Sequence, residues 1–194
     1  MKRVIVLLIG PTASGKSTIR KYLFPEPHDY HSAFQFSVLY SDKKRGMLGG
    51  GKTGSEIVRS MYMFGNSLEH GLYECRCSVI LVDTVRISES WSKLLNSFED
   101  IHFRVLAVHL DYDLKVLRAR LRKRRKRLNL HPLLNASCVR TQNHYIKTTN
   151  KAVEGLKKDC KKKVTFLRFS DPSVKPKEIA KRIEKEITKL RRNQ

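Results

Sequence analysis

Between an apolar run, Val4–Ile9, and the helical pattern that begins near Lys16 lies Gly10-Pro-Thr-Ala-Ser-Gly15-Lys16-Ser17-Thr18. This is G-x-x-x-x-G-K-S in the context the pattern requires, strand before and helix after. The glycines let backbone N–H groups curl around phosphate oxygens, and the helix N-terminus adds partial positive charge. Lys16 is expected to reach the β- and γ-phosphates of ATP, and Ser17 to hold Mg²⁺. Gly10, Thr12, Ala13, Ser14, Gly15, Lys16, Ser17 and Thr18 are therefore the candidate nucleotide-binding residues.

The remaining chain agrees with such a loop. Short continuous apolar runs recur at Phe36–Tyr40, Val79–Val82, Val105–Leu110 and Val164–Phe169, as parallel strands covered on both faces should. Amphipathic stretches lie between them. One carries Ile87, Trp91, Leu94 and Phe98, and the last carries Ile179, Ile183, Ile187 and Leu190 with charges opposite. The alternation predicts a doubly wound α/β fold of the P-loop NTPase, nucleotide-kinase-like kind. Five parallel strands are expected, flanked by helices. With 194 residues and no linker that divides them, a single domain over 1–194 is expected.

The phosphate-loop expression occurs a second time, at Gly46-Met-Leu-Gly-Gly-Gly51-Lys52-Thr53. No strand runs directly into Gly46, because the charged stretch Ser41–Arg45 intervenes. This copy reads as a glycine-rich loop near the acceptor.

Forty Lys and Arg against eighteen Asp and Glu leave a formal charge of +22. Such an excess favours polyanionic partners, since each neutralised phosphate releases condensed counterions. DNA or RNA is the expected partner, and small free nucleosides do not call for so much charge. Cys75, Cys77, Cys138 and Cys160 lack the spacing of a zinc site, and Cys75 and Cys77 read as thiols beside a core strand. Val4–Ile9 is too short for the apolar region of a leader, and no run approaches membrane-spanning length. A cytoplasmic protein without a membrane partner is expected.

In such sheets ligands bind beyond the carboxyl ends of the strands, so chemistry is sought there. Asp42 follows the second apolar run and is placed to take a hydroxyl proton as general base. Asp83 closes the third, Val79-Ile-Leu-Val-Asp83, and is a candidate for binding Mg²⁺ with Ser17 or for orienting the acceptor. A helix from Asp113 to about Leu128 has apolar residues at Leu114, Leu117, Leu121 and Leu128. The gap in that stripe falls at Arg124 or Arg125, an arginine expected to face an anion, with Arg120 one turn earlier. Eight basic residues crowd between Arg118 and Arg127.

This order of P-loop, Ser41-Asp42, Asp83-Thr84 and Arg120-x-x-x-Arg124 before His131-Pro132 resembles the kinase domain of phage-type polynucleotide kinase, over Val4 to about Ile146. The resemblance implies that Lys16 and Ser17 bind ATP and that Asp42 is the base for a 5′-hydroxyl. It further implies that Asp83 is functional and that Arg124 contacts phosphates from a basic lid, about 118–132. Where the family has Asp-Thr-Asn-Leu-Asn, this chain reads Asp83-Thr-Val-Arg-Ile-Ser88. It also lacks the D-x-D-G-[TV] of the phosphatase half found in bifunctional members. The expectation is an ATP-dependent 5′-hydroxyl kinase with catalytic Lys16, Asp42, Asp83 and Arg124. Tyr40, Tyr62 and Phe64 are candidates for stacking on a terminal base. A kinase of hydroxymethyl-pyrimidine bases, a small nucleoside or nucleotide kinase, and a nucleotide-controlled nucleic-acid binder stay open beside it.

Overall fold

The computed structural model describes residues 3–11, 13–23, 79–84, 92, 95–98, 102–128, 134–160 and 163–192. Along the chain these form β1 (Arg3–Ile9), α1 (Lys16–Leu23), β2 (Val79–Thr84), β3 (Phe103–Leu110), α2 (Leu114–Leu128), α3 (Leu134–Asp159), β4 (Val164–Phe169) and α4 (Pro176–Arg192). Four of the five expected strands are thus observed. The other, Phe36–Tyr40, lies outside the described residues, as do Ile87, Trp91 and Leu94.

All pairings are parallel, in the order β2-β1-β3-β4. Of the two interior strands, β1 and β3, β1 is the more apolar, and residues Val4–Ile9 are all at most 1 % exposed. Burial on both faces is why the runs of β1 and β3 are continuous instead of alternating. One face carries Ile5, Leu7, Ile9, Val105 and Ala107 against α3 and the Leu95–Phe98 segment. On the other, Val4, Val6, Leu8, Leu106 and Val108 pack against α1, α4 and Leu117 of α2. The apolar stripe of α4 enters this second layer as its spacing demands, with Ile179, Ile183, Ile187 and Leu190 all buried.

Hydrogen bonds hold the first layer together at its edge. Ser92 Oγ donates to the carbonyl of Gly155 (3.1 Å), and Asn96 Nδ2 to that of Asp159 (2.9 Å). The second bond satisfies a carbonyl that the last turn of α3 leaves without a helical donor.

One polar group breaks the apolar pattern of β3. His109 is 7 % exposed, with Nε2 4.0 Å from Asp111, whose carboxylate receives two donors from Arg168 at 2.9 and 2.6 Å. Burial pushes the imidazole pKa below its usual value. Asp111 opposes that shift and so, weakly, does Glu154, while Arg168 and Lys157 add to it. A base that resists protonation when folded leaves the unfolded chain binding more protons, so its contribution destabilises the fold as pH falls through the unfolded histidine pKa. Melting temperature is accordingly expected to drop as pH is lowered from 7 towards 5. In His109→Gln that decline becomes shallower. An unchanged pH profile in the variant would remove His109 as the cause.

Candidate active site

Because β2 lies on one side of β1 and β3 on the other, the chain leaves the sheet in opposite directions from adjacent strands. This opens a crevice at their carboxyl ends. The loop after β1 fills it. A Cβ on Gly10 would sit 2.7 Å from Ser14 Oγ and 3.1 Å from both the Cβ and the carbonyl oxygen of Leu110. Only glycine lets the loop pass so close to the end of β3.

Beyond Gly10 the backbone turns sharply. Ala13 (φ 67°) and Gly15 (φ 101°) both have left-handed φ, and the Ser14 amide donates to the carbonyl of Pro11 at 3.2 Å. A non-glycine residue held at positive φ is strained, and such strain concentrates at functional loops. It brings Gly15 to the mouth of α1, where its carbonyl accepts from the amides of Thr18 and Ile19, each at 3.0 Å. The Ser17 amide, one position earlier, lies ahead of these first helical bonds, as at any helix N-terminus.

Lys16 folds back over this loop and is 6 % exposed. Its ammonium donates to the carbonyls of Gly10 (2.8 Å) and Pro11 (3.1 Å) and to Ser14 Oγ (3.4 Å). The loop therefore holds a buried cation by oxygen dipoles at the place where phosphate charge is expected. Ser17 and Thr18 face solvent at the start of α1. Asp83 lies near the end of β2 and pairs in register with Leu8, two residues before Gly10. A hydroxyl and a carboxylate are the hard oxygen donors Mg²⁺ prefers, and both positions adjoin the loop. Among the described residues there is no group of three or more His, Cys, Asp or Glu suited to a metal.

The remaining side of the crevice comes from the segment after β3. Tyr112, 3 % exposed, lies under the guanidinium of Arg120, which sits 4.3 Å from the ring centroid. Burial raises the phenol pKa, and the neighbouring Arg120 partly offsets the rise. Held on that ring, Arg120 Nη1 donates to the carbonyl of Ser14 at 3.2 Å. It is also the atom nearest to where a Cβ of Gly15 would stand, at 4.0 Å. Arg120 is thus the arginine of α2 that is brought to the loop. Arg124, one turn further along α2, is solvent-exposed. Tyr112 escaped the sequence reading. Its only signal was its place, two residues before the helix begins.

Thr12, Asp42, the second glycine-rich copy at Gly46–Thr53, the aromatic candidates Tyr40, Tyr62 and Phe64, and Cys75 and Cys77 lie outside the described residues. Cys160 is half-buried against the first core layer. No helix among the described residues is long and apolar enough to cross a membrane.

The fold recurs in solved structures of low sequence identity. Shikimate kinase from Acinetobacter baumannii in complex with shikimate superposes with a TM-score of 0.58 at 14% identity, over 95% of this chain and 93% of that one. A gluconokinase from Sinorhizobium meliloti 1021 gives 0.52 at 14% identity, over 99% and 94%. The Pnkp1/Rnl/Hen1 RNA repair complex gives 0.54 at 18% identity, over 77% of this chain but 45% of that one. No curated protein matches the sequence. A family model described as an AAA domain matches residues 5–146, which span the phosphate loop, β1 to β3, all of α2 and the first half of α3. With that match over more than half its length, the chain belongs to the AAA-domain family and has the fold of a P-loop kinase.

Proposed function

We propose that this protein transfers the γ-phosphate of ATP to the 5′-hydroxyl of a polynucleotide. The observation that carries the transfer is the pairing at one crevice of Lys16, buried among loop oxygens, with Arg120, held on Tyr112 against the same loop. Phosphoryl transfer asks little covalent chemistry of a protein. Its needs are positioning and positive charge around a phosphoryl group whose equatorial oxygens gather charge. In this reading Lys16 and the loop amides leading into α1 hold the β- and γ-phosphates, and Arg120 binds from the lid side. Arg124 joins it if the lid closes further. Asp42 takes the proton of the attacking hydroxyl. Ser17 and Asp83 would hold Mg²⁺, which when bound neutralises charge on the phosphate oxygens.

Three observations favour a polynucleotide acceptor over a small one. The formal charge is +22; the order of residues resembles phage-type polynucleotide kinase; and the fold is shared with a chain of an RNA repair complex. The likeness to shikimate kinase and gluconokinase keeps a small hydroxylated acceptor as the competing reading.

The test is a panel of acceptors with γ-labelled ATP: a 5′-hydroxyl oligonucleotide, its 5′-phosphorylated form, hydroxymethyl-pyrimidine DNA, free nucleosides and small polyols. Label is expected on the first alone. Label on 5′-phosphorylated DNA bearing hydroxymethyl bases would assign the acceptor to the base, and label only on small molecules would remove the polynucleotide altogether.

A further inference from the structure

We infer that the outer half of α2, Leu121–Leu128, is a docking surface for the phosphate backbone of a nucleic acid. The inference deepens the reading above and rests on it for the site it serves. Its own evidence is the way the helices handle charge.

Helix α2 carries nine Lys or Arg and no acidic residue in its fifteen positions. Among the described residues no acidic side chain pairs with any of them. The other long helices are net basic too, but they carry acidic partners. In α3, Lys157 meets Glu154 at 2.9 Å, and in α4, Lys189 meets Glu186 at 3.4 Å, with Glu178 and Glu184 interspersed. Spacings of three and four along α2 bring like charges together, Arg118 with Arg122, and Arg122 and Lys123 with Lys126. Such pairs oppose the helix that carries them. A polyanion laid along the helix relieves this repulsion and releases its own counterions.

The geometry fits a strand on its way to the crevice. Leu117 anchors the first turns in the core and Arg120 touches the phosphate loop. From Arg120 the helix runs on for eight residues, about 12 Å at the α-helical rise. In that length Arg122, Lys123, Arg124 and Lys126 are all exposed. Stepping by 100° per residue, they point to several sides of the axis, so the segment is basic around most of its circumference. A membrane-docking helix also needs an apolar face to bury beside its basic one, and no large apolar side chain described on α2 is exposed. A hydrated polyanion is the occupant this surface suits.

The test replaces Arg122, Lys123 and Lys126 together with Gln in the full chain. A control, K177Q/K181Q/K185Q, removes the same charge from exposed positions on α4. Binding of a fluorescent single-stranded 5′-hydroxyl oligonucleotide is followed across a salt series, with affinity for an ATP analogue as the check on folding. For the α2 variant the slope of log affinity against log salt is expected to fall by about 2, and affinity roughly a hundredfold at 0.1 M salt. The ATP-analogue affinity stays, and the α4 control changes much less. Equal losses in both variants, an unchanged slope in the α2 variant, or loss of binding to phosphatidylserine vesicles with oligonucleotide binding intact would each overturn the inference. The acceptor panel separates the two ideas. Wild-type transfer to a 5′-hydroxyl strand with no special role for α2 removes this inference alone. Loss of oligonucleotide binding through α2, in a protein that labels no 5′-hydroxyl end, removes only the proposed acceptor.

Discussion

Lys16→Met is expected to leave a folded protein whose phosphoryl transfer is slower by about 10²–10³-fold, the usual loss when one preorganised donor is taken from developing charge. Folding should survive because the ammonium is a buried cation, 6 % exposed and held by the carbonyls of Gly10 and Pro11. Methionine fills similar volume without a charge to solvate. Those carbonyls lose a donor, a cost of about 1–3 kcal/mol for each group left dry, less if water reaches the loop. Rate is the decisive readout: kcat should fall further than nucleotide affinity, since charge on the moving group is greatest in the transition state. Transfer within tenfold of wild type would remove Lys16 from the chemistry, and the loop would then be a binding device only.

The second large effect concerns the acceptor side. Replacing Asp42 by Ala should lower kcat by about 10²–10⁴-fold, the range for a positioned general base, while affinity for an ATP analogue stays within a few-fold. The expectation rests on the order of the chain, with Asp42 directly after the apolar run Phe36–Tyr40 and Ser41. That split matters because the reading of this chain as a nucleotide-dependent nucleic-acid binder without transfer makes the opposite prediction. In a binder neither quantity depends on a carboxylate at position 42. Single-turnover labelling of a 5′-hydroxyl oligonucleotide, paired with equilibrium binding of the analogue, measures both. Retained labelling in Asp42→Ala would reject the base assignment.

Much of this molecule was legible before any coordinate. A motif such as Gly10–Thr18 is local: strand, loop and helix are consecutive, and two glycines with one lysine suffice to specify what the loop binds. Continuous apolar runs announced β1 and β3 because burial on both faces leaves no polar alternation, and the same signal announced β2 and β4, although β4 is half-buried over most of its length. The stripe Ile179–Ile183–Ile187–Leu190 announced α4 because a helix has one buried face.

What the sequence could not supply depended on distances between segments far apart in it. Periodicity tells which side of a helix turns inward, yet not how far along its axis the neighbouring loop lies. So the arginine stripe of α2 was readable while its contact was not. Tyr112, just past the end of β3, lies under Arg120, whose guanidinium reaches the Ser14 carbonyl, with Arg124 a turn beyond in solvent. His109 was likewise hidden, since an imidazole inside an apolar run looks the same whether it faces water or, as here, the layer beneath α3. The chain itself determined the phosphate loop and the parallel sheet, which follow from local geometry and burial. Only the tertiary structure decided strand order, the packing of Gly10 on Leu110, and which cation meets the loop, because those are fixed by contacts across a hundred residues of sequence.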